Sequence, residues 1–342
     1  MAAAKADFPW LADVPSHTLQ QTLRDLDKAC RTHGTWKVRW RSKARAEPSF
    51  RFPDPKHLVV ERLDRRWGQV RLPKFGWVRF RWTRPVGGTI RNATVLKDGG
   101  RWYISFCVED GVVAVEPNGK PGVGLDRGVA VAVATSDGEL RDREFVTPGE
   151  AKRLKRLQQR LSRQRRSSNR RSATTAKIGA LNKRVRGRRT DFCAWTANRL
   201  TADHGMVVIE ALTVANMVRS AKGTVEKPGT NVRQKSGLNR AILAKGWGRF
   251  ALRLEHKARY NGSQIVKVPA AYTSQTCHAC KQVARENRES QAVFRCVACG
   301  HQANADVNAA RNILAAGLAV TGRGDLGNSR SAKRQPPELI AA

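Results

Sequence analysis

Four cysteines fall in two close pairs, Cys277-x-x-Cys280 and Cys296-x-x-Cys299, with fifteen residues between the pairs. Thiolates at this spacing form two knuckles whose sulfurs can close a tetrahedral shell around zinc. A shell completed by Cys277, Cys280, Cys296 and Cys299 leaves no position for a substrate, so this zinc is expected to be structural. His278 and His301 stand beside the knuckles, but four sulfurs already satisfy the ion. A second set consists of carboxylates at the edges of apolar elements. Asp126 lies in Gly124-Leu125-Asp126-Arg127-Gly128, Glu210 ends Val207-Val208-Ile209, and Asp306 lies in Asn304-Ala305-Asp306-Val307-Asn308. One acid at the end of a buried strand is ordinarily a cap or an ion-pair partner, because an unpaired buried charge is costly. Three can do more. Magnesium prefers oxygen ligands, and two ions about 4 Å apart can activate water while stabilising the leaving oxygen of a phosphodiester. Asp126, Glu210 and Asp306 are therefore the candidate catalytic and magnesium-binding residues.

These acids need a sheet to hold them. Apolar runs at 123–125 and 129–135, turning at Ser136-Asp137-Gly138, and a third short run near Phe145 read as three adjacent antiparallel strands. A buried strand is expected at 206–211, a helix with a Gly-Trp-Gly interruption at 238–260, a strand at 264–268 and a closing helix at 309–319. Three antiparallel strands, a helical crossover, another strand and a late helix are the element order of an RNase H-like domain. In that arrangement the acids gather at one end of the sheet.

Before this region, Leu19, Leu23, Leu26 and Cys30 share one face of a predicted helix, with Ser16 as its N-cap and Gly34 as its end. Residues 36–110 change to period-two patterning, as where Val78, Phe80 and Trp82 alternate with Arg79 and Arg81. Further runs at 57–63, 67–72 and 102–108, with a turn at Lys97-Asp98-Gly99-Gly100, predict a small antiparallel barrel or sandwich. Seven of the nine tryptophans precede position 103. Aromatics interleaved with basic side chains can stack on nucleic-acid bases, although the simpler expectation is that these tryptophans are mostly core.

The chain carries 64 Lys and Arg against 28 Asp and Glu, a formal charge of +36. So large an imbalance points to a polyanion partner. It is steepest at 152–189, where sixteen basic residues occur without one acid. Leu154, Leu157 and Leu161, then Ile178, Leu181 and Val185, give that stretch two helices joined near 167–172. The basic faces, with Arg153, Arg156, Arg160, Arg163, Arg166, Arg170, Lys183, Arg186 and Arg189, are expected to lie along phosphates. No apolar run reaches about 18 residues and no signal peptide is legible, so a cytoplasmic, nucleoid-associated protein without a membrane partner is expected. The odd cysteine count suits a metal site plus three reduced thiols, Cys30, Cys107 and Cys193. The Gly-, Ser-, Arg- and Pro-rich segment after 322 is expected to be disordered.

Together these motifs resemble the TnpB family, the OrfB-type proteins of small insertion sequences, which are related to compact type V CRISPR effectors. The residues carrying the resemblance are Gly124 to Gly128, Leu157-Gln158-Gln159-Arg160-Leu161-Ser162-Arg163, Val208-Ile209-Glu210-Ala211-Leu212, Tyr272-Thr273-Ser274-Gln275-Thr276-Cys277 and Asp306 to Ile313. The match runs from about residue 10 to 319. It implies a split RuvC-like nuclease centre of Asp126, Glu210 and Asp306, with a zinc ribbon between the last two. It also implies a guide RNA derived from the transposon end, a short target-adjacent motif read by the N-terminal domains, and cleavage of both strands of target DNA after RNA pairing. Two departures stand out. Relatives usually begin with an extra strand and helices that this chain lacks, so an N-terminal truncation is expected, and Asn304-Ala305 stands where many relatives carry Asp-Arg.

The expected fold is thus an α+β multidomain protein. A helical segment at 1–34 precedes a wedge-like β-barrel at 35–118. An RNase H-like (RuvC) domain at 119–273 follows, split by a basic helical hairpin at 150–200. A zinc ribbon at 274–303, a closing helix at 304–321 and a tail at 322–342 complete it. The expected activity is RNA-guided, two-metal hydrolysis of target DNA. The alternatives are a catalytically silent, repressor-like RNA- and DNA-binding transposon protein, and a strand-joining transposase.

Overall fold

Apolar residues at alternate positions do build strands in the N-terminal third. The computed structural model describes residues 2–38, 40, 47–111 and 115–322. The chain divides into two units, Met1–Val113 with Thr147–Val185, and Ala114–Val146 with Arg186–Ala342.

In the first unit, β1 (Ser49–Phe52), β5 (Thr89–Asp98) and β6 (Arg101–Glu109) form one antiparallel sheet. A second is formed by β2 (Val59–Arg62), β3 (Trp67–Leu72) and β4 (Gly76–Arg81). Gly99 and Gly100 both take positive φ in the two-residue loop closing Asp98 onto Arg101, the backbone that a tight hairpin of this twist requires. Phe52, Leu58, Val70, Leu72 and Ala93 form a buried core, with Phe50, Phe80, Ile104 and Phe106 packed against it. Fully burying a Val, Leu or Phe side chain contributes about 1.5–3 kcal/mol.

The tryptophans depart from expectation. Trp10, Trp36, Trp40, Trp67, Trp77 and Trp102 are all exposed, Trp36 fully at 100%, and Trp82 is half-buried. The phenylalanines and aliphatic residues fill the narrow interior. In β3 the inward places go to Gly68, Val70 and Leu72, which turns Trp67 outward.

Two helices, α1 (Ala2–Asp7) and α2 (Ser16–His33), precede the sheets. Ser16 is the first helical residue rather than the cap, a place taken by Pro15, and Gly34 ends the helix at φ +81°. Leu19, Leu26 and Cys30 turn inward, whereas Leu23 is exposed. The basic stretch forms α3 (Pro148–Ser162) and α4 (Asn169–Asp203). A full capping box starts α3, with Thr147 and Glu150 each satisfying the other's backbone N–H. The joint falls at 163–168, slightly earlier than expected, with Ser172 already inside α4.

The second unit is built on a five-stranded sheet of β7 (Gly122–Asp126), β8 (Val133–Thr135), β9 (Leu140–Arg141), β10 (Met206–Glu210) and β11 (Gln264–Val268). Its order is β11-β10-β7-β8-β9. β7, β10 and β11 run parallel, while β8 and β9 alternate antiparallel. The third strand lies at Leu140–Arg141 and not near Phe145. Phe145 is instead buried against Phe192 of α4, their rings 5.5 Å apart, so packing claims the residue that patterning assigned to a strand. The second strand is also shorter than the apolar run suggests.

After β10 come α5 (Val214–Met217), α6 (Val232–Lys245) and α7 (Trp247–Asn261), the last two separated at Gly246, which is left-handed. A hairpin of β12 (Val293–Arg295) and β13 (Gln302–Asn304) leads into α8 (Ala305–Gly322). α8 lies so close on the sheet that a Cβ at Gly124 would stand 2.0 Å from the Ala310 carbonyl oxygen. Among the described residues no helix is long and apolar enough to cross a membrane. The segment 323–342, expected to be disordered, lies outside the described residues.

Candidate active site

Parallel pairing of β7 with β10, in register at Leu125 with Ile209, puts Asp126 and Glu210 side by side at the same end of neighbouring strands. Asp306 comes from a helix rather than a strand. Asn304 Oδ1 accepts the backbone N–H groups of Asp306 and Val307 at 3.0 and 3.2 Å, so α8 begins four residues before its apolar periodicity does. That early start places Asp306 in the first turn, where the helix dipole favours a carboxylate. A Cβ on Gly128 would lie 3.4 Å from Asp306 Oδ2, so the acid rests against the turn that follows Asp126.

The electrostatics report the convergence. Burial, then the charges of Glu210 and Asp306, push the Asp126 carboxyl up to about 7, with Arg288 opposing. Burial also raises Asp306, which Arg288 offsets from 3.3 Å. The three acids are not among the groups whose ligand atoms all fall within 4.8 Å of one another. The chemistry of the three acids fits hard divalent cations: all-oxygen, partly desolvated and short of compensating positive charge.

Several supporting residues escaped the sequence reading. The buried Arg127 guanidinium donates to the Glu210 carbonyl oxygen at 2.5 Å. The Thr273 hydroxyl donates to Glu210 Oε1 at 2.7 Å. Asn308 and Asn312, one turn apart on α8, donate to the Thr276 carbonyl at 2.8 and 2.7 Å and so tie the strand-to-ribbon segment to the same helix. Trp247 Nε1 donates to the Gly128 carbonyl at 3.1 Å, fixing the loop after Asp126. Arg288 had no legible signal, since one arginine in a polar loop is indistinguishable among 64 basic residues.

All four cysteines of the two knuckles converge, every sulfur within 4.8 Å of the others. Cys277 and Cys299 sulfurs are 3.8 Å apart, and those of Cys280 and Cys296 3.5 Å. Sulfurs sharing a tetrahedral ion at about 2.3 Å stand roughly 3.8 Å apart, so the cluster has the dimensions of a metal site. Backbone N–H groups of Cys299 and Ala298 point at Cys296 and lower its thiol, while the sulfurs of Cys280, Cys296 and Cys277 push Cys299 up, as thiols crowded together without a cation do. The rings of His278 and His301 pack against each other at 5.5 Å and neither belongs to the cluster. Cys30, Cys107 and Cys193 lie outside the four-cysteine cluster, Cys193 buried and Cys107 exposed.

Of the basic residues expected to meet phosphates, Arg153, Arg156, Arg160, Arg163, Arg166, Arg170 and Arg186 are exposed. Lys183 and Arg189 are not. Lys183 Nζ donates to the Asp98 carbonyl at 2.7 Å and sits 3.7 Å from the centre of the Tyr103 ring. Arg189 is half-buried with its guanidinium over Phe145 and its stem against Gly246. It continues the inward stripe of Leu181 and Val185 at four-residue steps, which a count of charges does not reveal.

Two family models match the chain. Residues 105–221 match OrfB_IS605, described as "Probable transposase", and residues 247–313 match the Cas12f1-like TNB domain. A curated Escherichia coli (strain K12) protein, "Putative RNA-guided DNA endonuclease InsQ", is 43% identical over 337 residues, covering 97% of this chain and 82% of its own length. A "Putative RNA-guided DNA endonuclease" of Streptomyces pristinaespiralis is 30% identical, covering 98% of this chain and 82% of its own. A Cas12f1 chain, solved by cryo-EM in complex with sgRNA and target DNA, superposes at a TM-score of 0.37 with 16% identity, over 81% of this chain and 68% of that one.

Proposed function

The chain belongs to the TnpB family of OrfB-type transposon proteins, and from that premise we propose that it is an RNA-guided DNA endonuclease whose phosphodiester hydrolysis is centred on Asp126, Glu210 and Asp306. The observation carrying this reading is geometric: the parallel register of β7 with β10 brings Asp126 and Glu210 to one end of the sheet, and Asp306, in the first turn of α8, rests against Gly128; the upward push on the Asp126 carboxyl accords with it. Arg127 and Arg288 offset only part of this gathered negative charge, which leaves it suited to a further cation. The order and directions of the five strands, with α8 against them, support an RNase H-like, RuvC-type core.

Divalent ions held by the three carboxylates, magnesium and two in number on this reading, would supply an activated water and stabilise the leaving oxygen. The chain's own residues do the positioning. Arg127 and Thr273 hold Glu210 through its carbonyl and its carboxylate, and Arg288 steadies Asp306. The four cysteines would hold zinc as a structural ion. Guide RNA and target DNA are the partners, with the exposed arginines of α3 and α4 tracking phosphates along the RNA or the heteroduplex, while base pairing reads sequence.

The test is cleavage of a plasmid carrying the guide-matched sequence in magnesium, comparing wild type with Asp126→Ala. Double-strand cutting by wild type alone is expected, and equal cutting by both overturns this centre. Copurified RNA with tight target binding but no cuts in magnesium or manganese would mark an RNA-guided binder instead.

A further inference from the structure

Away from the acids and the cysteine knuckles, one more set of metal-ligating side chains converges among the described residues, within the N-terminal unit. His17, Asp54 and His57 each offer a ligand atom within 4.8 Å of the other two. We propose that they form a separate site for a borderline divalent transition ion of the zinc, cobalt or nickel class, clamping α2 to the loop between β1 and β2.

Two ligands are preset by a stiff loop. Pro53 and Pro55 flank Asp54, and residues Pro55–His57 make a single 3-10 turn that Asp54 caps. Asp54 Oδ1 accepts the Lys56 N–H at 3.0 Å, while Oδ2 stands 3.5 Å from His57 Nε2. Neighbouring ligand atoms in a tetrahedral shell with bonds of about 2.0–2.1 Å are roughly 3.3–3.4 Å apart, so this pair needs almost no adjustment. The third ligand comes from the first turn of α2, fixed by the buried Pro15 before it. The His17 and His57 rings lie nearly parallel, 18° apart, with centres at 5.4 Å. Both imidazoles are exposed, so a modest rotation can bring His17 into the shell and solvent can complete it.

An ordinary ion pair explains Asp54 with His57 but leaves the stacked second imidazole without a purpose. The surroundings choose the ion. Lys5 Nζ donates to Ser16 Oγ at 2.8 Å, Lys56 adjoins His57, and the positive end of α2 is close. A hard ion such as magnesium, held by charge, gains little there. Two imidazoles with one carboxylate favour borderline ions instead. This inference is independent of the proposed nuclease centre.

Full-length protein retaining its ribbon metal, in excess magnesium to occupy the carboxylates, would be dialysed against cobalt or zinc and its metal content counted. Wild type is expected to hold one equivalent more than His17→Ala or His57→Ala, and added zinc should raise the thermal midpoint of wild type only. Equal uptake by all three proteins, or no zinc-dependent difference in midpoint, overturns the site. Should either alanine variant lose its circular dichroism, His17→Gln and His57→Gln, which keep bulk without the imidazole, serve in its place with the same expected loss of one equivalent.

Discussion

Asp126 carries the clearest physical signature of any single residue. Its carboxyl is pushed from 3.8 to about 7 by burial and by Glu210 and Asp306. In magnesium-free protein the folded state therefore holds a proton that the unfolded chain releases near 3.8. The group favours folding below that pH and loses its advantage as pH rises to about 7. Asp126→Asn should accordingly match wild type in thermal midpoint near pH 4 and exceed it by a margin of a few kcal/mol above pH 7; a constant difference across that range contradicts the argument. Thr273→Val removes the hydroxyl that donates to Glu210. Loss of such an outer partner ordinarily costs 10–100-fold in metal affinity or activity, so cleavage should need about tenfold more magnesium, measured as the half-saturating concentration. The acids were legible in the sequence because each interrupts or ends an apolar run. Arg127 and Thr273 stand in quoted motifs without a role and Arg288 in none, since what each does lies in what it touches.

At the scale of elements, the decisive join is between β13 and α8. Asn304 ends the strand and caps the helix, and Asp306 follows two residues later. If the four cysteines hold zinc as proposed, Cys296→Ser should loosen their cluster and with it the placement of Asp306. Cleavage should be abolished while RNA binding persists, checked by cutting and RNA retention on the same preparation. Gly124→Ala tests the seam between β7 and α8, where an added Cβ meets backbone that cannot swing aside. A destabilisation of about 1–3 kcal/mol is expected from overpacking, read by chemical denaturation. Strand positions with buried apolar runs, such as Met206–Glu210 and Gln264–Val268, were readable from composition. The start of α8 and the place of Phe145 were not, because a side-chain cap set the first and tertiary packing the second.

For the whole molecule, charge governs. With a formal +36, binding to nucleic acid should fall steeply with salt. Replacing Arg153, Arg156 and Arg160 together with alanine should lower the slope of log affinity against log salt by about 2, at roughly 0.7 per lost phosphate contact on a single strand. An unchanged slope removes that face of α3 from the interface. Composition revealed the polyanion partner but not its geography. It counted Lys183 and Arg189 with the rest, although both turn inward, and it placed outward-facing tryptophans in the core. A side chain's class is written in the sequence, whereas its direction is settled by neighbours from distant segments.

The three acids are contributed in strict order along the polypeptide, the last of them at position 306. At synthesis rates of about 5–20 residues per second, roughly 10–35 s separate the emergence of Asp126 from that of Asp306. On the proposed centre, a nascent chain that has not yet exposed Asp306 lacks one of its three carboxylates. Asp306→Asn, which keeps α8 and its packing on the sheet, should retain RNA yet leave every plasmid intact.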